Sequence, residues 1–182
     1  MMALQITPDT PPALVPLGWL LGVWAGAGVV GYPTMDADLR FGQELEFSHD
    51  GRPFLSYRSA TWLLDDDGGR VRPLATETGF WRVSPGGADP AGATPAAGGV
   101  ALEVLLAHPT GVVELYVGQA VGPRITLATD LVARTATAKE YTSATRMYGL
   151  VEGDLLWAMD MSAMGQPLQS HASARLKRVP TG

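Results

Sequence analysis

The chain has 182 residues, enough for one domain with a substantial core. Its 13 basic and 18 acidic residues leave a formal charge of −5, which argues against nucleic acid as a partner. The absence of cysteine excludes disulfides, thiolate nucleophiles and cysteine-linked cofactors, and it fits a cytoplasmic setting.

The amino-terminal region could be mistaken for a membrane segment. No Lys or Arg precedes Arg40, and Thr10 to Met35 carries no charge. Gly18, Gly22 and Gly26 even repeat the small-xxx-small spacing of packed membrane helices. However, the apolar run between Pro16 and Pro33 is only 16 residues, five of them glycine, short of the ~20 that span a bilayer. It also lacks a basic flank, so neither a membrane helix nor a secretory leader is expected.

Residues 1–12 read as a tail, and a single domain is expected over 13–180. Ala13 to Leu21 has the spacing of a short helix or turn. Gly22, Trp24, Gly26 and Gly28 then alternate in phase, which describes a strand with one face cleared of side chains. Such a face admits a ligand or another backbone, or it permits the bend of a barrel strand. Period-two patterns continue over Gln43–Ser48, Phe54–Leu64 and Leu74–Val83, joined at His49-Asp50-Gly51 and at Asp65-Asp66-Asp67-Gly68-Gly69. That acidic run lacks the alternating ligands of a calcium loop and reads as a solvated turn. Ser84 to Gly99 holds five glycines, three prolines and five alanines, and is expected to be a flexible loop insertion.

Strand patterns resume at Val100–Ala107 and Gly111–Gly118, a hairpin about His108-Pro109-Thr110-Gly111. They run on through Arg124–Asp130, Thr135–Ser143, Ser143–Val151 and Leu155–Ala163. The last of these puts Leu155, Trp157, Met159, Met161 and Ala163 on one face, an apolar wall or ordinary core. A final strand covers Gln166 to Arg178. Roughly ten short strands with tight turns predict an all-β antiparallel fold, closed into a barrel that leaves no edge.

Within the last strand, His171 is flanked by Ser170, Ala172, Ser173 and Ala174, which leave room around its imidazole. Neutral imidazole is a common ligand for iron. Strict alternation nevertheless groups His171 with Gln169, Ser173 and Arg175, the polar side of the strand, where a surface histidine is the ordinary outcome. His49 and His108 fall in expected turns and read as structural or exposed.

Taken together, the motifs resemble one family. Gly22-Val23-Trp24-Ala25-Gly26-Ala27-Gly28 matches the GxWxGxG motif of the nitrobindins, and Tyr32-Pro33-Thr34 follows at their spacing. Gly51-Arg52-Pro53-Phe54-Leu55, Glu77 to Arg82, Leu106 to Gly111, Thr137 to Glu140 and Gly165 to Gln169 are similar as well. The resemblance spans Leu17 to Arg178, with Val30 replacing a further glycine and Met35 standing where Ile is common. It implies a ten-stranded antiparallel β-barrel like that of fatty-acid-binding proteins, holding ferric haem b. His171 would be the axial ligand, with Thr34 and Lys139 as further haem contacts. The implied activity is isomerisation of peroxynitrite to nitrate, with nitric oxide as another ligand and a homodimer as an allowed assembly. The rival expectations are a fatty-acid carrier without chemistry, which would need a buried Arg or Tyr for the carboxylate, and an interaction module with a vestigial site.

Overall fold

The computed structural model describes residues 9–87 and 94–180. Ten antiparallel strands form a closed barrel: β1 Gly22–Val30, β2 Leu39–Ser48, β3 Leu55–Leu64, β4 Arg70–Val83, β5 Gly99–His108, β6 Val112–Val121, β7 Arg124–Arg134, β8 Tyr141–Val151, β9 Asp154–Ala163 and β10 Gln169–Arg178. Each strand pairs with the next in sequence, and β10 returns to pair with β1. The fold is the expected barrel. One expected strand does not exist: β7 runs on to Arg134, β8 starts at Tyr141, and residues 135–140 form the turn between them. Thr and Ala at 135–138 satisfy a strand pattern, yet Ala138 N–H closes back on the Thr135 carbonyl.

Closure explains the glycines of β1. A Cβ on Gly26 would stand 2.3 Å from the Arg175 carbonyl oxygen. On Gly28 it would meet the Ser173 carbonyl at 2.2 Å and the Phe41 ring at 2.5 Å. The cleared face is therefore occupied by the β10 backbone and an aromatic ring of β2.

Pro12–Leu20 forms a 3-10 helix that plugs one end of the barrel, with Leu14, Leu17 and Leu20 fully buried against Trp24, Phe47, Trp81 and Leu102. Pro16 within the segment forbids a regular α-helix, and the tighter helix accommodates it. Within the expected tail, Thr10 is buried and Pro12 already begins the helix, while residues 1–8 lie outside the described residues. Of the expected loop at 84–99, residues 88–93 lie outside them too. Its described flanks are anchored: Ser84 is buried, and Ala96 N–H donates to Gln119 Oε1 at 2.8 Å. No helix among the described residues is long and apolar enough to cross a membrane.

One side chain fixes the plug to the barrel wall. Arg178, near the end of β10, donates from Nη1 to the Leu21 carbonyl and from Nη2 to the Trp19 carbonyl at 2.8 Å. Its guanidinium lies 4.1 Å from the centre of the Trp24 ring, and the Trp24 indole in turn donates to the Leu20 carbonyl at 2.7 Å. Losing two charge-assisted bonds and a cation–π contact should lower stability by about 2–4 kcal/mol. Urea denaturation of Arg178→Ala is expected to read that loss as a lower midpoint with an unchanged slope.

Candidate functional site

The end opposite the plug is formed by the rim turns. Three of them carry the residues singled out in the sequence: 31–38 after β1, 135–140 before β8, and 164–168 before β10. Thr34 Oγ1 approaches Met164 Sδ at 3.8 Å, and Met164 N–H donates to the Glu140 carbonyl beside Lys139. The Lys139 carbonyl accepts from Arg134 Nη1 at 3.0 Å. Thr34 and Lys139 are both exposed and share this rim with His171.

His171 does not follow the alternation of its strand. The β10–β9 register runs Ser170↔Asp160 and then Ala172↔Met159, so His171 is the extra residue of a β-bulge. A bulge re-aims a side chain, and here it takes His171 out of the exterior row of Ser173 and Arg175. The imidazole is half-buried, and burial lowers its pKa despite the bond from Gly31. Its Nδ1–H donates to the Gly31 carbonyl at 3.0 Å, while Gly31 N–H donates to the His171 carbonyl at 2.8 Å. This reciprocal pair fixes the neutral tautomer with its Nε2 lone pair free of any partner among the described residues. The Tyr32 ring meets the imidazole edge-on at 5.5 Å, and Tyr32 Oη is held by Ala163 N–H at 2.8 Å.

Gly31 escaped the reading of the sequence. A Cβ there would stand 1.9 Å from Asp38 Oδ1, so a side chain at this position would turn the exposed Asp38 carboxylate aside. Its signal was its position directly before Tyr32-Pro33-Thr34.

Those rim residues fit a planar iron porphyrin held by a single nitrogen: a fixed neutral imidazole, small neighbours, and no thiolate to compete. Among the described residues of this rim, His171 carries an imidazole nitrogen free of any partner. His49 lies in the far turn, its Nδ1 accepting from Gly51 N–H at 3.2 Å.

His108 is not a surface turn residue. It ends β5 with Nε2 2.7 Å from Glu114 Oε2, and Glu114 is completely buried. Glu114 Oε1 accepts from Tyr116 Oη at 2.7 Å and from Tyr141 Oη. Arg146 grips Glu77 through two bonds of 2.8 and 2.9 Å, reaches Glu114 at 3.4 Å, and donates from Nε to Tyr116 Oη at 3.0 Å. Tyr57 Oη donates to Glu77 Oε1 at 2.6 Å. Burial pushes the Glu114 carboxyl upward, but the His108 bond and the Arg146 charge outweigh it and hold the group at about 2. Glu77 is lowered too, against its own burial, chiefly by Arg146. Glu77, His108 and Glu114 come within the reach of one divalent cation, since their ligand atoms lie within 4.8 Å of one another. Arg146 already pairs with both carboxylates, so each has a cationic partner without a metal. Each member sits alone in an apolar or alternating stretch of sequence, on β4, β5, β6 and β8. Only the closed topology assembles them.

The chain was compared with known proteins. Residues 13–178 match the family model described as the THAP4-like, haem-binding β-barrel domain. A protein named ferric nitrobindin-like protein, from Kineococcus radiotolerans, is 62% identical over 98% of this chain and 99% of its own length. A protein named peroxynitrite isomerase, from Leifsonia xyli, is 49% identical over 97% of this chain and 99% of its own. The crystal structure of Rv2717c from M. tuberculosis superposes with a TM-score of 0.76 at 37% identity, covering 94% of this chain and all of that one. Fold, rim histidine and similarity over nearly the full length converge: the chain belongs to the THAP4-like, haem-binding β-barrel family.

Proposed function

We propose that this chain binds ferric haem b non-covalently through Nε2 of His171 and isomerises peroxynitrite to nitrate, with nitric oxide as a second ligand. The observation that carries the reading is the reciprocal His171–Gly31 pair, which leaves one imidazole nitrogen oriented and free. Thr34 and Lys139, on the same rim, are the further contacts. When bound, haem iron supplies an open Lewis-acidic and redox-active position for a small anion. The conversion takes up and releases no proton, so the chain need supply no general acid. Its part is to orient the imidazole through Gly31 and Tyr32 and to keep water from the buried side. The zero-cysteine composition supports a cytoplasmic location.

The fatty-acid reading needs a buried Arg or Tyr free to hold a carboxylate, and the hydroxyls of Tyr57, Tyr116 and Tyr141 already end on Glu77 and Glu114. Arg146 is the buried arginine of the interior, and Glu77 and Glu114 already engage it. A homodimer is supported by an outward apolar row, Phe80↔Leu105↔Leu115↔Leu131, crossing β4 to β7 with Phe80 and Leu131 about half exposed.

Three outcomes test this function. His171→Ala, purified with haem supplied, should lose the Soret absorbance that His49→Ala and His108→Ala retain. Gly31→Pro, which removes the N–H that donates to the His171 carbonyl, should lower haem affinity by roughly tenfold, the equivalent of that one hydrogen bond. An unchanged spectrum in His171→Ala would assign the iron elsewhere.

Stopped-flow mixing of the ferric protein with peroxynitrite should give a decay rate proportional to haem occupancy. A ferrous oxygenated form stable for hours in air, with no faster peroxynitrite decay, would instead indicate oxygen carriage.

We also propose that the segment from Pro85 to Gly98 is dispensable for haem binding. Replacing it by a Gly-Asn turn should leave the Soret band and melting temperature nearly unchanged. A large loss of either would show that the segment covers the pocket.

A further inference from the structure

The interior ion network asks for more than a structural role. Burying an arginine, two glutamates and a histidine in a barrel is costly, and a well-packed apolar filling of equal volume is often as stable. What this network does have is phenols. All five tyrosines of the chain are buried or half-buried, and the hydroxyls of Tyr57, Tyr116 and Tyr141 end on its carboxylates.

Tyr141 is the most accessible of those three. It is half-buried at the start of β8, directly opposite Ala163 of β9. Ala163 N–H is the group that holds Tyr32 Oη, and the Tyr32 ring touches His171. The phenol therefore stands a few residues from the imidazole, on the same half of the barrel. Its hydroxyl donates to Glu114 Oε1, while His108 engages Oε2 and turns Oε1 toward the phenols. Tyr116 Oη lies 3.4 Å from Tyr141 Oη, bound to that same oxygen, so the carboxylate and the two phenols form one cluster.

A phenol resists losing an electron alone because the radical cation is strongly acidic, and a proton acceptor already in hydrogen-bond contact removes that obstacle. Glu114 is such an acceptor. It stays ionised at neutral pH, since His108 and Arg146 overcome the effect of its burial.

We propose that Tyr141 is a site of proton-coupled one-electron oxidation, with Glu114 receiving the phenolic proton. The phenolic O–H bond breaks, the proton forms a new O–H bond at Glu114 Oε1, and the electron passes to a one-electron oxidant. Nitrogen dioxide, a one-electron oxidant that accompanies peroxynitrite, is the natural oxidant, and on taking the electron it leaves as nitrite. A small reductant such as ascorbate or a thiolate returns the electron while Glu114 gives its proton back to the phenoxyl oxygen, restoring both groups. The pair would thus catch radicals that escape isomerisation. The identity of the natural oxidant rests on the peroxynitrite reading above, whereas the redox site itself does not.

The test uses the full chain with and without haem supplied, and a photogenerated tris(bipyridine)ruthenium(III) oxidant, with persulfate as sacrificial acceptor. Freeze-quenched samples are read by electron paramagnetic resonance. The unsubstituted chain should give a neutral tyrosyl signal whether or not haem is present, and its formation should slow in deuterium oxide. Tyr141→Phe should lose that signal, and Glu114→Gln, which keeps the shape but not the basicity, should lose it as well. A signal undiminished in Tyr141→Phe would overturn the assignment. So would the absence of a solvent isotope effect in the unsubstituted chain, which decides the matter even if a variant does not fold. A tyrosyl signal with no acceleration of peroxynitrite decay would retain the redox site and reject only its natural oxidant.

Discussion

A sheet becomes a barrel only when its first and last strands come within hydrogen-bonding distance along their whole length. In this chain that contact is made at β1 and β10, and glycine makes it possible. Side chains at positions 26 and 28 would strike the carbonyls of Arg175 and Ser173. The seam formed there also holds the histidine, because Gly31 just beyond β1 exchanges two hydrogen bonds with His171 across it. Closure and the orientation of the imidazole are thus one interaction seen at two points. A defect in the seam would disturb both.

The interior is divided by the same geometry. The plugged half is filled by leucine, tryptophan and phenylalanine, and its burial supplies the stabilisation expected of a core. The rim half is built around Arg146, which pairs with both Glu77 and Glu114 and whose Nε reaches Tyr116. An incomplete network of this kind would be worse than an apolar filling, because each orphaned charge carries its full desolvation cost. Here the carboxylates and the guanidinium are all engaged. Gln43 extends the pattern, joining Ser59 to the Trp157 indole.

Much of this was legible in the residues. Alternation marked the strands, and the order of motifs from Gly22 to Gln169 indicated the family. Alternation misled at His171, since a bulge shifts the phase by one residue and leaves no mark on composition. It misled again in the expected strand Thr135 to Ser143, of which residues 135–140 form a turn and only the end belongs to β8. The face cleared by Gly26 and Gly28 allowed two occupants on paper, and only the position of β10 decided for backbone. His108 looked like a hairpin corner because its partners Glu77 and Glu114 are 31 and 6 residues away, and Arg146, which joins those two carboxylates, is 38 away. Pairings of that kind belong to the topology and not to any local stretch.

The helical plug carries a consequence for architecture on a larger scale. Pro12 begins the plug, and Val179, directly after β10, bonds through its N–H to the Val23 carbonyl near the start of β1. Both ends of the described chain therefore emerge at the sealed pole, with the rim at the other. A second folded unit tethered at either end would stand behind the barrel, leaving the mouth clear. Such a barrel can be joined to unrelated modules, or displayed on a surface by either end, while small molecules continue to exchange freely at its opposite pole.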